Sequence, residues 1–198
     1  MEGFEFNWNW KKAKEMKRAY LYPISAFVDQ EHPNEYIESF MDNLEPDVQF
    51  LNRQFPSTKG IIDLLKYFTK VDLVFLHWIE DLPDKRGGKV QTLFFIFMLY
   101  LLKLRKTRLI WVMHNKESHY GTNLFLKKLI TRLVIRKSDH IITHSKEGQR
   151  ILEQRGVNIS ERGRYYAHPL ETKSLPPGSG KSYDILIWGS IIPYKGVD

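Results

Sequence analysis

The stretch VDLVFLHWIEDLPDKRGG (residues 71–88) decides the fold of this chain, together with RLIWVMHNKESH (residues 108–119). Each stretch opens with a continuous apolar run that stops at a histidine, His77 in the first and His114 in the second. Unbroken apolar runs are typical of parallel strands that helices cover on both faces. Ligands of open parallel sheets bind outside the carboxyl ends of the strands. We therefore predict a polar site where these two strands end.

The rest of the chain alternates between apolar runs and helical periodicity. We expect strands at residues 19–25, 48–51, 71–77, 108–114, 139–143 and 164–167, and helices at 34–46, 59–68, 89–104, 122–136 and 146–155. Asn34 and Ser145 are the predicted N-caps of the first and the last helix. Pro23 places the first strand near a sheet edge or ends it early. The alternation predicts an α/β fold with a Rossmann-like, doubly wound parallel sheet.

A change of composition after residue 169 predicts a domain boundary. Residues 1–169 form the predicted N-terminal domain, and the segment LETKSLPPGSGKS (residues 170–182) has the Pro, Gly and Ser content of a linker. A new apolar run, YDILIW, opens residues 183–198. We expect this run to start a second domain of similar type that is truncated here. The alternative is that it adds one strand to the first sheet.

The charge of the chain is positive and unevenly distributed. The net charge is +7, and there is no cysteine, which excludes disulfides and cysteine metal sites. Acids but no Lys or Arg occupy Asp29–Asp47, whereas Lys103–Lys137 is rich in Lys and Arg and contains one acid, Glu117. This asymmetry indicates a surface for phosphates, anionic lipid or nucleic acid, with ordinary solvated helix faces as the alternative. Because the aromatic residues sit in apolar runs rather than among the basic residues, we predict no nucleic-acid partner.

The helix at residues 89–104 contains the run LFFIFMLYLL, whose only polar group is the Tyr100 hydroxyl. A membrane span needs about 20 apolar residues, so this run is too short to be one. We expect a helix buried deeply against the sheet, as doubly wound folds require. The basic residues at both ends of the run leave contact with a bilayer surface as the alternative. No signal peptide opens the chain, and we expect a cytoplasmic protein.

Four histidines follow predicted strands: His77, His114, His144 and His168. An imidazole can donate to a phosphate or a sugar hydroxyl, or accept a proton near neutral pH. Glu80 follows His77 closely and is a candidate general base. We predict no metal site, because no H-x-x-x-H pair lies on a predicted helix and because His114 and His119 bracket a loop. No phosphate-binding P-loop, dinucleotide-binding glycine motif or serine nucleophile elbow is present.

The motifs occur in a fixed order along the chain. They are His77-Trp78 with Glu80, then Trp111, His114-Asn115 and His119, then Ser145 and His168-Pro169, and finally a turn with Gly189, Lys195 and Gly196. This set resembles bacterial GT-B glycosyltransferases of capsule and exopolysaccharide assembly. The resemblance covers about residues 19–198. It departs from many relatives at Ser190, where they carry Arg.

The resemblance implies two Rossmann-like domains, of which this N-terminal half binds the acceptor. The implied reaction transfers a sugar from a nucleotide-sugar to a saccharide acceptor, often lipid-linked, in surface polysaccharide assembly. It needs no metal or cofactor and takes place in the cytoplasm, at the inner face of the membrane. An anionic membrane surface is therefore a further expected partner. Most of the donor-binding domain would lie beyond residue 198, so the fragment alone is expected to be inactive.

The resemblance also assigns roles to residues. It implies His114 as a catalytic residue beside Glu80, substrate contacts from several side chains and diphosphate contacts from two more. The substrate contacts are His77, Trp78, Asn115, His119, Ser145 and His168, and the diphosphate contacts are Gly189 and Lys195. A non-catalytic Rossmann-like module that binds an anionic ligand or a membrane surface is the alternative to a transferase.

Overall fold

The computed structural model describes residues 16–24, 34–45, 47–55, 57–114 and 122–166. Its strands are β1 (Lys17–Tyr22), β2 (Val48–Phe50), β3 (Leu73–His77), β4 (Arg108–Met113), β5 (His140–Thr143) and β6 (Gly163–Tyr165). Its helices are α1 (Glu35–Asp42), α2 (Leu64–Tyr67), α3 (Gly88–Leu104), α4 (Leu124–Lys137) and α5 (Lys146–Gln154). Two 3-10 helices, Gly60–Asp63 and Ile79–Asp84, precede α2 and α3. The predicted linker and second domain lie outside the described residues.

All six strands form one sheet in the order β2-β1-β3-β4-β5-β6. Every neighbouring pair is parallel. The chain moves outward from β1 to β2 and then returns across β1 to build the other side, which is the doubly wound order. The predicted Rossmann-like parallel sheet is therefore confirmed. It also places the strand C-termini, and hence the residues that follow β3, β4 and β5, at a single edge.

The core is divided by the sheet into two clusters. One cluster packs α1 against the sheet through Ile37 and Met41. The other packs α3 and α4 against the opposite face, with Phe95 and Ile130 fully buried. Because successive strand residues point to opposite faces, Leu76 faces α3 and α4 and His77 faces α1. The continuous apolar runs are explained by this arrangement, since both faces of the sheet are covered.

Helix α1 begins where the sequence predicts. The Asn34 side chain accepts hydrogen bonds from the backbone N–H groups of Tyr36 and Ile37. These bonds satisfy donors that a helix N-terminus otherwise leaves without partners. The cap therefore defines the first turn of α1, which carries Tyr36 to the carboxyl edge of the sheet.

The first strand and the second helix differ from their predicted forms. Strand β1 ends at Tyr22, just before Pro23, and lies inside the sheet between β2 and β3. Of the two alternatives for Pro23, the early end is the one observed. The helix predicted for residues 59–68 is a 3-10 turn followed by a four-residue α2. The carboxylate of Asp63 accepts from the N–H groups of Thr58 and Lys59, and these bonds hold the segment in a turn before the helix.

Helix α3 is buried on one side only, which corrects the expectation of deep burial. Phe95, Met98 and Leu99 are fully buried, whereas Leu93 and Phe97 are more than half exposed. The reason is that a helix on one face of a three-layer fold meets the sheet along a single stripe. Within the described residues no helix is long and apolar enough to cross a bilayer.

Asn52 completes the hydrogen bonding of β1 where β2 has already ended. Its side-chain amide accepts from Leu21 N–H at 3.1 Å and donates to Leu21 C=O at 2.8 Å. The Asn52 residue is 1% exposed. Because water cannot replace these bonds at a buried position, both backbone groups depend on this side chain.

We expect Asn52→Ala to lower the free energy of unfolding by about 2–4 kcal/mol, because two backbone groups of an interior strand lose their partners. Urea denaturation followed by circular dichroism measures this change. Gln49→Ala is the matched control, because Gln49 is exposed on β2 and its change should stay within about 0.5 kcal/mol. Equal stabilities of the two variants would refute the role of Asn52.

Candidate functional site

Three imidazoles meet at the carboxyl edge of the sheet. His77 is the last residue of β3, and His114 and His144 directly follow β4 and β5. His77 Nδ1 lies 3.0 Å from His114 Nε2, and the rings of His114 and His144 are 5.6 Å apart between centroids. The expectation that the ends of these strands come together is confirmed for these three residues.

All three imidazoles lie on the face of the sheet that α1 covers. Phe75, Val112 and Ile142 belong to the core cluster under α1, and each stands two positions before one of the histidines. The period of two along a strand therefore turns the histidines toward α1 as well. Phe40 of α1 packs edge-on against the His77 ring, with centroids 4.8 Å apart.

His77 is the fully buried member of the cluster. It is 0% exposed, and burial, with a further contribution from the neighbouring His114 and His144, lowers its pKa well below the ordinary 6.5. The neutral ring carries one proton, and within the described residues its Nε2 has no hydrogen-bond partner. A buried acceptor without a partner is tolerated better than a buried N–H without one. The proton therefore belongs on Nδ1, which donates to His114 Nε2.

The burial of His77 differs from that of the other two imidazoles. The sequence predicts that His77 and His114 both contact a ligand. In the structure His77 is enclosed, while His114 and His144 retain exposed surface. His77 contacts the ring of His114, and its predicted substrate contact stays a prediction.

Tyr36 joins the cluster from the first turn of α1. Its hydroxyl lies 2.8 Å from His144 Nε2, and His144 Nδ1 lies 2.8 Å from the carbonyl oxygen of Tyr166. Because a carbonyl only accepts, His144 carries a proton on Nδ1 and donates it to Tyr166 C=O. Burial raises the pKa of Tyr36 far above its ordinary value, so the hydroxyl that bonds His144 Nε2 keeps its proton.

Sequence reasoning missed Tyr36, although a signal was available. The residue stands two positions after the predicted N-cap Asn34. In a parallel α/β sheet the N-terminus of each connecting helix lies at the carboxyl edge of the strands. Side chains in the first turn of α1 could therefore have been predicted to reach the site.

Trp78 packs against a face of the His114 ring. The two rings are stacked, with centroids 4.1 Å apart and planes inclined by 15°. Trp78 has a φ of 45°, in the left-handed region. This conformation turns the chain sharply from β3 into the 3-10 helix and costs a bulky residue on the order of 1–3 kcal/mol. Strain of this kind concentrates at functional sites. The predicted substrate contact of Trp78 stays a prediction.

Glu80 lies apart from the imidazoles. It is 4% exposed, and burial raises its pKa to about 7. The Trp111 indole lies close enough to oppose this rise slightly, but among the described residues neither the Glu80 carboxylate nor the Trp111 N–H has a hydrogen-bond partner. Trp111 belongs to the core under α3 and α4, on the face of the sheet opposite to His77. The structure therefore places Glu80 against Trp111 rather than beside His114.

The remaining predicted site residues divide into two groups. Ser145 caps α5 by accepting from the N–H of Gly148 at 2.9 Å, which confirms its capping role and leaves its substrate contact a prediction. The predicted contacts at Asn115, His119, His168, Gly189 and Lys195 lie outside the described residues. Within the described ranges no group of three or more His, Asp or Glu side chains is placed to hold a metal ion.

Comparison with known proteins finds a distant likeness in structure alone. No family model and no curated protein matches the chain. One solved structure that does match is Anabaena Alr3699/HepE in complex with UDP and glucose, with a TM-score of 0.42 and 12% identity over 79% of this chain and 45% of that one. The same protein in complex with UDP matches with a TM-score of 0.40 and 13% identity, over 78% and 44%. This chain thus spans less than half the length of either structure, and its fold is assigned from its own strand order.

We expect Glu80→Gln to remove a pH dependence of stability. The pKa of this carboxyl is raised in the folded state, from 4.5 to about 7, so the folded protein holds the proton more tightly than the unfolded chain. The contribution of Glu80 is therefore present below about pH 4.5 and is lost as the pH rises to about 7. At pH 8 the variant should be more stable than the wild type by up to about 3 kcal/mol.

Urea denaturation of both proteins at pH 5 and pH 8 measures the difference. His77 acts with the opposite sign, because its lowered pKa costs stability as the pH falls below about 6.5, but it is common to both proteins and cancels. Glu147→Gln, at an exposed position of α5, is the matched control. A constant difference between wild type and Glu80→Gln across this range would contradict the raised pKa.

Proposed function

We propose that this chain is the N-terminal, acceptor-side domain of a GT-B glycosyltransferase. The reaction joins a saccharide acceptor, lipid-linked and destined for a surface polysaccharide, to the sugar of a nucleotide-sugar donor. The bond between the sugar and the diphosphate breaks, the acceptor hydroxyl oxygen forms the new bond and the hydroxyl proton passes to a base. The nucleoside diphosphate leaves with the electron pair. A partner domain would bind most of the donor.

The observation that carries the proposal is the imidazole cluster at the carboxyl edge of β3, β4 and β5. His77 bonds His114 at Nε2 and Trp78 stacks on the His114 ring, so this ring has a fixed orientation before any ligand binds. Such pre-orientation is what positioning of a reactant requires. The resemblance of the ordered motifs to GT-B enzymes supports the proposal, because it implies a histidine near the donor phosphates or the reacting sugar at the position of His114.

The two predicted catalytic residues differ in what they offer. His114 lies where a substrate could contact it, because it is half-buried at the edge of the sheet where ligands bind. Glu80 has a pKa of about 7, which suits a general base, but it lies against Trp111. We propose His114 as the residue that contacts the reactants. Glu80→Gln tests the other assignment, since a general base should lose at least about a hundredfold in rate.

We expect His114→Ala to reduce kcat/KM at least about tenfold, because the group that orients the reacting sugar or phosphate is removed. The assay uses the complete polypeptide that the gene encodes. It measures transfer of labelled sugar from a panel of nucleotide-sugars to a lipid-linked saccharide acceptor.

His140→Ala is the matched control. His140 stands at the opposite end of the strand that His144 follows, so it tests the same substitution away from the carboxyl edge. Its kcat/KM should stay near the wild-type value, and thermal unfolding should show that both variants are folded. Wild-type activity in His114→Ala would reject the role of His114. Saturable nucleotide-sugar binding with no transfer to any acceptor would instead favour the non-catalytic binding module.

A further inference from the structure

The outer side of α3 carries a continuous row of exposed apolar side chains. The row, here called the apolar stripe, consists of Val90, Leu93, Phe97, Tyr100 and Leu104, which are 46–79% exposed. The spacing i, i+3, i+7, i+10, i+14 keeps them on one side of an α-helix. At 1.5 Å per residue the stripe is about 21 Å long. Isolated exposed apolar residues are ordinary, but a continuous row of this length marks an interaction surface.

The neighbouring helix α4 extends this surface. Leu124 and Phe125, at its start, are 54% and 77% exposed. The start of α4 lies next to the start of α3, because Val90 and Asn123 line the same surface pocket. At the other end, the ammonium group of Lys137 lies 4.8 Å from the centre of the Tyr100 ring. The apolar stripe and the outer side of α4 are therefore one surface.

Basic side chains border this surface. Lys128, Arg132 and Arg136 are exposed at i, i+4, i+8 on α4 and form what is here called the basic ridge. Exposed Lys89 and Arg105 lie at the two ends of α3. Helices α3 and α4 contain no Asp or Glu. The surface is thus apolar along one helix and positive along the next.

The acidic residues of α1 are on the other side of the sheet. Glu35, Glu38 and Asp42 belong to α1, which packs on the face opposite to α3 and α4. An extended negative surface would attract the α3–α4 side and repel the α1 side. The charge distribution therefore orients the domain as well as attracting it.

We propose that the apolar stripe and the basic ridge dock this domain onto an anionic lipid bilayer. A helix that binds in the plane of a bilayer places its apolar side about 5–10 Å deep, with basic residues at the headgroups, and both features are present here. A second copy of this chain fits less well. A two-fold contact through this surface would bring one basic ridge against the other, and like charges repel. The resemblance to GT-B enzymes implies only a membrane location, whereas the docking surface is assigned from the exposed side chains of α3 and α4.

Co-sedimentation with vesicles tests the docking. The chain should bind vesicles of phosphatidylcholine with about 30% phosphatidylglycerol at least about tenfold more strongly than phosphatidylcholine alone. The variant Leu93→Gln/Phe97→Gln should lose at least about tenfold in this binding, because the apolar contact is removed. The variant Lys128→Gln/Arg132→Gln should bind the anionic vesicles more weakly, with no change in its binding to the neutral vesicles. Added salt should likewise weaken binding to the anionic vesicles only.

The matched control removes equally exposed apolar side chains elsewhere. Phe55→Gln/Leu65→Gln changes residues that are 69% and 57% exposed and lie outside the stripe, and its binding should equal that of the wild type. Equal binding to neutral and anionic vesicles, or wild-type binding by the stripe variant, would overturn the proposal. A concentration-dependent dimer in light scattering that the stripe variant abolishes would also overturn it, in favour of a contact between copies.

A fluorescent label locates the contact directly. The chain has no cysteine, so Leu93→Cys gives a single labelling site on the stripe, and Leu65→Cys gives one on α2. With an environment-sensitive nitrobenzoxadiazole label, emission from position 93 should rise and shift to the blue on anionic vesicles. Emission from position 65 should not change. Equal responses at the two positions would show that the stripe is not the docking face.

Discussion

The parallel pairing of β3, β4 and β5 is the constraint on which the candidate site depends. His77 stands opposite Val112, and Met113 stands opposite Thr143. This register brings His77 within hydrogen-bond distance of His114, and it brings the His114 and His144 rings to 5.6 Å between centroids. A slip of one residue in any strand would turn its histidine to the other face of the sheet. The apolar packing that sets the register therefore also builds the site.

Burial determines the chemical state of the cluster. His77 is held neutral, and the carbonyl of Tyr166 together with the Tyr36 hydroxyl fixes the orientation of the His144 ring. A bond from His77 and a stacked Trp78 orient His114. Hydrogen bonds are stronger in such a low-dielectric environment, and each fixes the ring next to it. The result is a set of oriented imidazoles, suited to polar recognition of a sugar or phosphate.

The sheet also separates the charges of the domain. On the α1 side, Arg53 contacts three carboxylates, those of Glu38, Asp42 and Glu45. Lys103 and Lys127 are paired with Asp139 and Asp84, so the exposed positive charge of the α3–α4 side comes from other residues. The basic and apolar side chains of α3 and α4 thus face away from the acids of α1. The imidazole cluster therefore lies on a different part of the domain from the apolar stripe and the basic ridge.

The sequence by itself determined the α/β class, the alternation of elements, the caps at Asn34 and Ser145 and the arrival of histidines at strand ends. These features depend on local periodicity and capping, which adjacent residues specify. Only the tertiary structure decided that Tyr36 joins the site, that Glu80 lies against Trp111 and that α3 buries one side. A helix that is apolar all round has no pattern to show which side meets the sheet. The sheet face that a loop residue reaches likewise depends on contacts with residues far away in the chain.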